Sequence, residues 1–156
     1  DVYVLAKGLA SGYPISAVLF REELGSWPPG AHGTTFGGQA VAAAAAHATL
    51  DLLEGGLQEN AARLGEFLLA ELRALKRRFP FLGDVRGRGL MIGLDFGDPD
   101  HPQPDLRDKA VRLAFEKGLL LLPAGPSALR IAPPLVLTQE EAALGLEILE
   151  EVFRAL

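Results

Sequence analysis

At 156 residues the chain is sized for about one domain, and 49% hydrophobic residues with a mean hydropathy of +0.20 describe a sequence that buries a core. A net charge of −5 without a basic stripe argues against a nucleic-acid surface, and zero cysteines exclude a disulfide framework or a cysteine-ligated metal while suiting a reducing compartment such as the cytoplasm. No apolar run reaches transmembrane length and the first residues lack a signal-peptide layout, so no membrane partner is expected.

The chain opens at Asp1, without methionine, and enters an apolar run within one residue. Natural domains start more often on a polar, tolerant segment, so a piece of a longer chain is expected. Residues 2–6 (VYVLA) read as a buried strand, residues 7–14 as a glycine-bearing loop, and ISAVLF (15–20) as a second short strand. Five glycines and two prolines make 25–38 a loop. QAVAAAAAHATLDLLEGG predicts a helix whose alanines allow close packing and whose end is set by Gly55 and Gly56. A second helix is expected from about Leu57 to Arg78. Leu57, Ala61, Leu64, Leu68, Leu72, Leu75 and Phe79 recur at steps of three and four, and Pro80 terminates it.

GLMIGLDF alternates Leu90, Ile92, Leu94 and Phe96 and predicts a half-buried strand. A loop, a helix from Leu106 to Lys117 stopped by Gly118, a buried strand LLLLP, a turn AGPSA and a strand LRIA follow. The last helix carries a capping box, Thr138 with Glu141, and an apolar stripe of Ala142, Leu146, Leu149, Phe153 and Leu156. The order is β-β-α-α-β-α-β-β-α, an α/β or α+β arrangement without internal repeats.

Few residues could carry chemistry. His32, His47 and His101 show no metal-ligand spacing, so no metal site is expected. Asp98, Asp100 and Asp105 lack the glycine and terminal glutamate of a calcium loop and read as a solvated segment. GRGLMIG has no following helix and reads as a tight turn with close strand packing. Two features remain. Lys7 ends an apolar run and precedes a glycine, so either it reaches water past a strand end or a pocket uses its amine. HGTTFGG is either a glycine turn before a helix or a loop whose N–H groups and threonine hydroxyl hold a phosphate. A lysine with a phosphate-gripping loop is the pair that pyridoxal phosphate requires.

DVYVLAKGLASGYPISAVL, followed by HGTTFGG and an alanine-rich helix, resembles the class III pyridoxal-phosphate aminotransferases, which include acetylornithine, ornithine and 4-aminobutyrate aminotransferases. The resemblance continues through VRGRGLMIGLDF and LRIAPPLVLT and covers essentially the whole chain. It implies an α/β fold: residues 1–52 would be the end of an aspartate aminotransferase-like, fold type I large domain, and 53–156 an α+β C-terminal small domain. The implied activity moves an amino group from an ω-amino acid such as 4-aminobutyrate, or from acetylornithine or ornithine, to 2-oxoglutarate. Lys7 matches the lysine that forms a Schiff base with pyridoxal phosphate and then shuttles a proton. Thr35 matches the threonine that binds the cofactor phosphate, usually from the neighbouring subunit, so a homodimer or higher homo-oligomer is implied. Arg130 matches an arginine that meets a substrate carboxylate or the glutamate gating that site; from the residues alone it would be a strand-edge surface arginine. Gln39 and Ala40 depart from the family's usual Asn-Pro, which bears on the subfamily. The family's phosphate turn, ring-stacking aromatic and pyridine-pairing aspartate lie upstream of the positions this chain matches, so the fragment alone is expected to be an incomplete enzyme. Two alternatives stand beside this reading: an amino-acid racemase on the same scaffold, and a non-catalytic α/β interaction domain.

Overall fold

A computed structural model describes residues 1–25 and 27–156, which form two compact units, Asp1–Gly56 and Leu57–Leu156. The division falls at Gly56, whose φ of 124° interrupts the helical path.

In the first unit, β1 (Val2–Leu5) pairs antiparallel with β2 (Ala17–Phe20), Val2 opposite Phe20 and Leu5 opposite Ala17. Between them Lys7–Ala10 forms a single 3-10 turn where a loop is expected. The long loop ends at α1 (Ala40–Leu52). The strand at 2–6 is not buried as expected: Tyr3 and Val4 are 70% and 72% exposed. A two-stranded ribbon has no further layer of this unit on its faces, and β-branched composition cannot supply one.

The second unit is a two-layer α+β fold. Its elements are α2 (Gln58–Arg78), β3 (Leu82–Arg88), β4 (Met91–Phe96), α3 (Pro104–Glu116), β5 (Leu122–Ala124), β6 (Ala128–Ile131) and α4 (Gln139–Arg154). The sheet runs β3-β4-β6-β5, antiparallel throughout. Along β4 the side chains alternate: Ile92, Leu94 and Phe96 are buried, whereas Met91, Gly93 and Asp95 face the other way. The buried face meets Leu64, Leu68, Leu72 and Leu75 of α2, Ala110 and Ala114 of α3, and Leu149, Val152 and Phe153 of α4 in one core. Phe79, Phe81, Phe96 and Phe153 form an aromatic cluster within it, with neighbouring ring centroids 5.6–6.0 Å apart.

The extra strand β3 is absent from the sequence expectation. Its sequence, LGDVRGR, is polar and glycine-rich, and it holds an edge position with a register shift between Leu82 and Val85. The strand expected at LLLLP begins later, at Leu122, and Leu120 is exposed. The capping box stands as expected: the Glu141 N–H donates to Thr138 Oγ1 at 3.2 Å, and the Thr138 N–H donates to the Glu141 carboxylate at 2.9 Å.

GRG is the tight turn it reads as. Arg88 lies opposite Met91, and Gly89 takes a φ of 54° at the first position of the two-residue loop. Helix α2 crosses this turn at Gly65, where an added Cβ would sit 2.3 Å from the Gly89 carbonyl oxygen. Gly65→Ala therefore forces backbone against backbone. It should lower the unfolding free energy by about 1–3 kcal/mol despite alanine's better helix propensity, measured by urea denaturation; an unchanged or raised midpoint contradicts the close approach.

A surface carboxylate should tune the same unit. Arg78 donates to Glu150 at 2.6 Å and Arg154 adds a second bond, and these hold the Glu150 carboxyl below its usual range, Arg78 most strongly. A carboxyl depressed on folding contributes stability above its unfolded-state value and loses it as pH falls through the folded one. Glu150→Gln should flatten the fall in thermal midpoint on acidification through the carboxylate range. The difference should shrink in high salt, because the pair is exposed; parallel pH profiles for the two proteins would rule the contribution out.

Candidate active site

Lys7 follows β1 after one residue, Ala6. Ala6 is extended, and Lys7 then turns to a φ of 52°, a left-handed conformation that a side chain disfavours. Ser11, at φ 45°, shares it. The chain between them is tightly wound: the Leu9 N–H donates to the Ala6 carbonyl at 3.1 Å and the Ser11 N–H to the Gly8 carbonyl at 3.2 Å.

Helix α1 holds this turn. Ala10 is buried, as are Ala42 and Ala46 on the helix, and the small side chains permit the close approach. The Thr49 hydroxyl donates back to the Ala45 carbonyl at 2.9 Å, leaving its oxygen to accept from Ser11 at 3.1 Å. Of the two readings of Lys7, a strand-end lysine reaching water or an amine used by a pocket, the described residues of this chain supply the open surroundings of the first. The Lys7 side chain is exposed, with no ion pair or side-chain hydrogen bond recorded among them.

HGTTFGG precedes α1. Gly37 has no room for a side chain, since a Cβ there would lie 2.1 Å from Thr34 Cγ2, and Gly38 has a φ of 69°. The Gln39 N–H donates to the Phe36 carbonyl at 3.3 Å, and no side chain caps the first turn of α1. A surface cleft here is lined by Pro14, Ile15, Ser16, Thr34, Phe36 and the Gly37–Gln39 backbone. Thr34 lines it; Thr35, the residue singled out from sequence, is exposed beside it.

Arg130 belongs to the second unit. It lies on β6 opposite Gly93 of β4 and Leu122 of β5, so it stands on the sheet face away from the core. It is exposed, and no ion pair or side-chain hydrogen bond is recorded for it among the described residues. The same row carries Arg86 of β3, also opposite Gly93. Arg86 grips Asp95 at two points, one of them a 3.1 Å bond from Nη2 to Oδ1, and reaches Asp84 at 3.1 Å. Asp95, followed by Asp84, holds the Arg86 guanidinium protonated far above its ordinary range. Neither Arg86 nor Asp95 stands out in the sequence. Only the pairing of β3, a strand that its composition disguises, brings them together.

Lys7 and Thr35 thus lie in the first unit and Arg130 in the second. Among the described residues no three metal-ligating side chains gather, and no helix is long and apolar enough to cross a membrane.

The family model for class-III aminotransferases matches residues 1–153. An acetylornithine aminotransferase of Gloeobacter violaceus is 44% identical over 100% of the chain, which covers 38% of that relative. An alanine/serine racemase of Pyrococcus horikoshii is 40% identical over 99% of the chain, which covers 33% of it. The crystal structure of an amine transaminase from an uncultivated Pseudomonas species, in the PLP-bound form, superposes with a TM-score of 0.87. It is 37% identical, with 99% of this chain and 38% of that one covered. The chain spans little more than a third of the length of these relatives. With the family model matching nearly the whole chain and a relative 44% identical over all of it, the chain belongs to the class-III aminotransferase family.

Proposed function

We propose that the whole protein is a pyridoxal-phosphate-dependent aminotransferase that passes an amino group from an ω-amino acid, or from acetylornithine or ornithine, to 2-oxoglutarate. The first unit is read as the closing segment of the cofactor-binding large domain and the second as the small domain. The observation that carries the proposal is the backbone at Lys7: a lysine held in the left-handed region, by a turn that α1 buttresses, is strain kept at a functional position.

The residues present fit the cofactor. It needs an accessible amine and an anion cradle, and the first unit offers Lys7, which is exposed, and a glycine loop at an uncapped helix start. When bound, pyridoxal phosphate supplies an aldehyde and an electron-withdrawing ring that stabilises negative charge at the substrate carbon. Lys7 Nζ would hold the cofactor through its amine and, when free, would be the base that carries the proton. The Thr35 hydroxyl and the backbone N–H groups of Gly37 and Gly38 would hold the cofactor's phosphate. The Arg130 guanidinium binds a substrate carboxylate through its planar fork. The exposed Thr35 hydroxyl suits a role across a homodimer, and the absence of cysteine suits the cytoplasm.

Borohydride treatment of the full-length protein with pyridoxal phosphate should attach the cofactor to Lys7, seen by peptide mass mapping. Lys7→Ala should remove both the label and turnover. Labelling elsewhere with turnover intact would sink the proposal. The racemase relative makes the product decisive: amino transfer requires an oxo-acid acceptor, whereas inversion of an amino acid without one would reassign the reaction.

Thr35→Ala should weaken cofactor binding by about 1.5–3 kcal/mol, the worth of a hydrogen bond to a charged acceptor. If the hydroxyl serves the neighbouring subunit, mixed dimers of Lys7→Ala and Thr35→Ala chains should regain activity in one of their two sites. Verified mixed dimers without recovery would place both residues in one protomer's site.

A further inference from the structure

On the open face of the second unit, two arginines stand on either side of β4, and one of them holds a β4 carboxylate. Arg86 and Arg130 flank Gly93 on opposite neighbouring strands, and Asp95 lies two residues further along β4, on the same face as Gly93. Asp95 is opposite Ala128, which is two residues from Arg130 on β6. That is the diagonal relation across an antiparallel pair, with Cβ atoms roughly 7 Å apart and within reach of a long side chain. Arg130 can therefore close on Asp95, yet Arg86 holds it. The Arg86 side chain lies over Gly93, its guanidinium carbon 3.7 Å from where a Cβ would be, and binds both Asp95 oxygens.

Resting on the reading of Arg130 as the substrate-carboxylate arginine, we infer that Arg86 is a positioning residue: by sequestering Asp95 it keeps the Arg130 guanidinium free to receive a carboxylate. Three features are tuned to this. Asp95 is only 29% exposed, so its charge needs a partner and would take the next cation if Arg86 were lost. Arg86 makes a two-point grip, which outcompetes a single contact. Position 93 is glycine, so Arg86 crosses toward Asp95 over backbone alone. Asp84 also contacts Arg86, but from Arg86's own strand, within the register shift and on the side of β4 away from β6.

The test uses the full-length holoenzyme and glutarate as a probe that cannot react, with affinity read by calorimetry beside steady-state kinetics. Arg86→Gln should raise the glutarate Kd, and the KM of carboxylate-bearing amino donors, by about two- to five-fold, the range an exposed ion pair commands. It should leave kcat and the kinetics of a carboxylate-free amine unchanged. Adding Asp95→Asn in that background should restore affinity. Adding Asp84→Asn, which restores the same net charge without releasing Arg130, should not. Restoration by both second changes would reduce the effect to net charge and overturn the inference, as would restoration by neither. Arg130→Lys separates the two levels: if it weakens glutarate while Arg86→Gln does not, Arg130 keeps its role and the sequestering function is wrong. If Arg130→Lys leaves glutarate binding unchanged, the reading of Arg130 fails and takes this inference with it.

Discussion

The period of two along β4 is the constraint on which the second unit depends. Ile92, Leu94 and Phe96 point to one side and are buried to 1% exposure or less, so three helices must be packed there. Met91, Gly93 and Asp95 are then committed to the other side. A slip of β4 by one residue would expose the core set and turn Asp95 inward. The register that builds the core therefore also places the charged groups on the open face.

Close approach of backbone to backbone needs positions without side chains, which explains Gly65 and Gly83. Gly65 admits the Gly89 turn, and Gly83 faces the Gly97 carbonyl, where a Cβ would lie 1.6 Å from the oxygen. The short hairpin β5–β6 is secured differently. Arg107 of α3, almost fully buried, donates to the Ala128 carbonyl at 3.0 Å while Asp108 balances its charge at 2.6 Å. A buried guanidinium is tolerated where its donors are met, and here they reach a strand too short to be held by its own ladder.

The first unit follows another logic. Its apolar strands are exposed and its order rests on α1, whose Ala42 and Ala46 accept the turn after Lys7, with Ser11 and Thr49 joining the two through a hydroxyl pair. The left-handed backbone at Lys7 is held by local contacts within one unit rather than by a deep core. That arrangement leaves the amine of Lys7 exposed while its backbone is constrained.

Helices, the capping box at Thr138 and the GRG turn were legible in the sequence because each is a local rule: periodicity of 3.6, a side chain reaching three residues, a glycine at positive φ. The ordered motifs around Lys7, HGTTFGG and LRIAPP were legible as a family pattern. Strand β3 was not, because an edge strand with a bulge is stabilised by its neighbour and carries little hydrophobic signal of its own. The burial of residues 2–6 was misjudged because composition states what a strand prefers to cover, not whether a layer lies over it. That Thr34 rather than Thr35 lines the cleft, and that Arg86 takes Asp95 beside an exposed Arg130, were decided only by tertiary structure. Both depend on which side of a turn or sheet a residue faces, and on which of two distant strands arrives next to it.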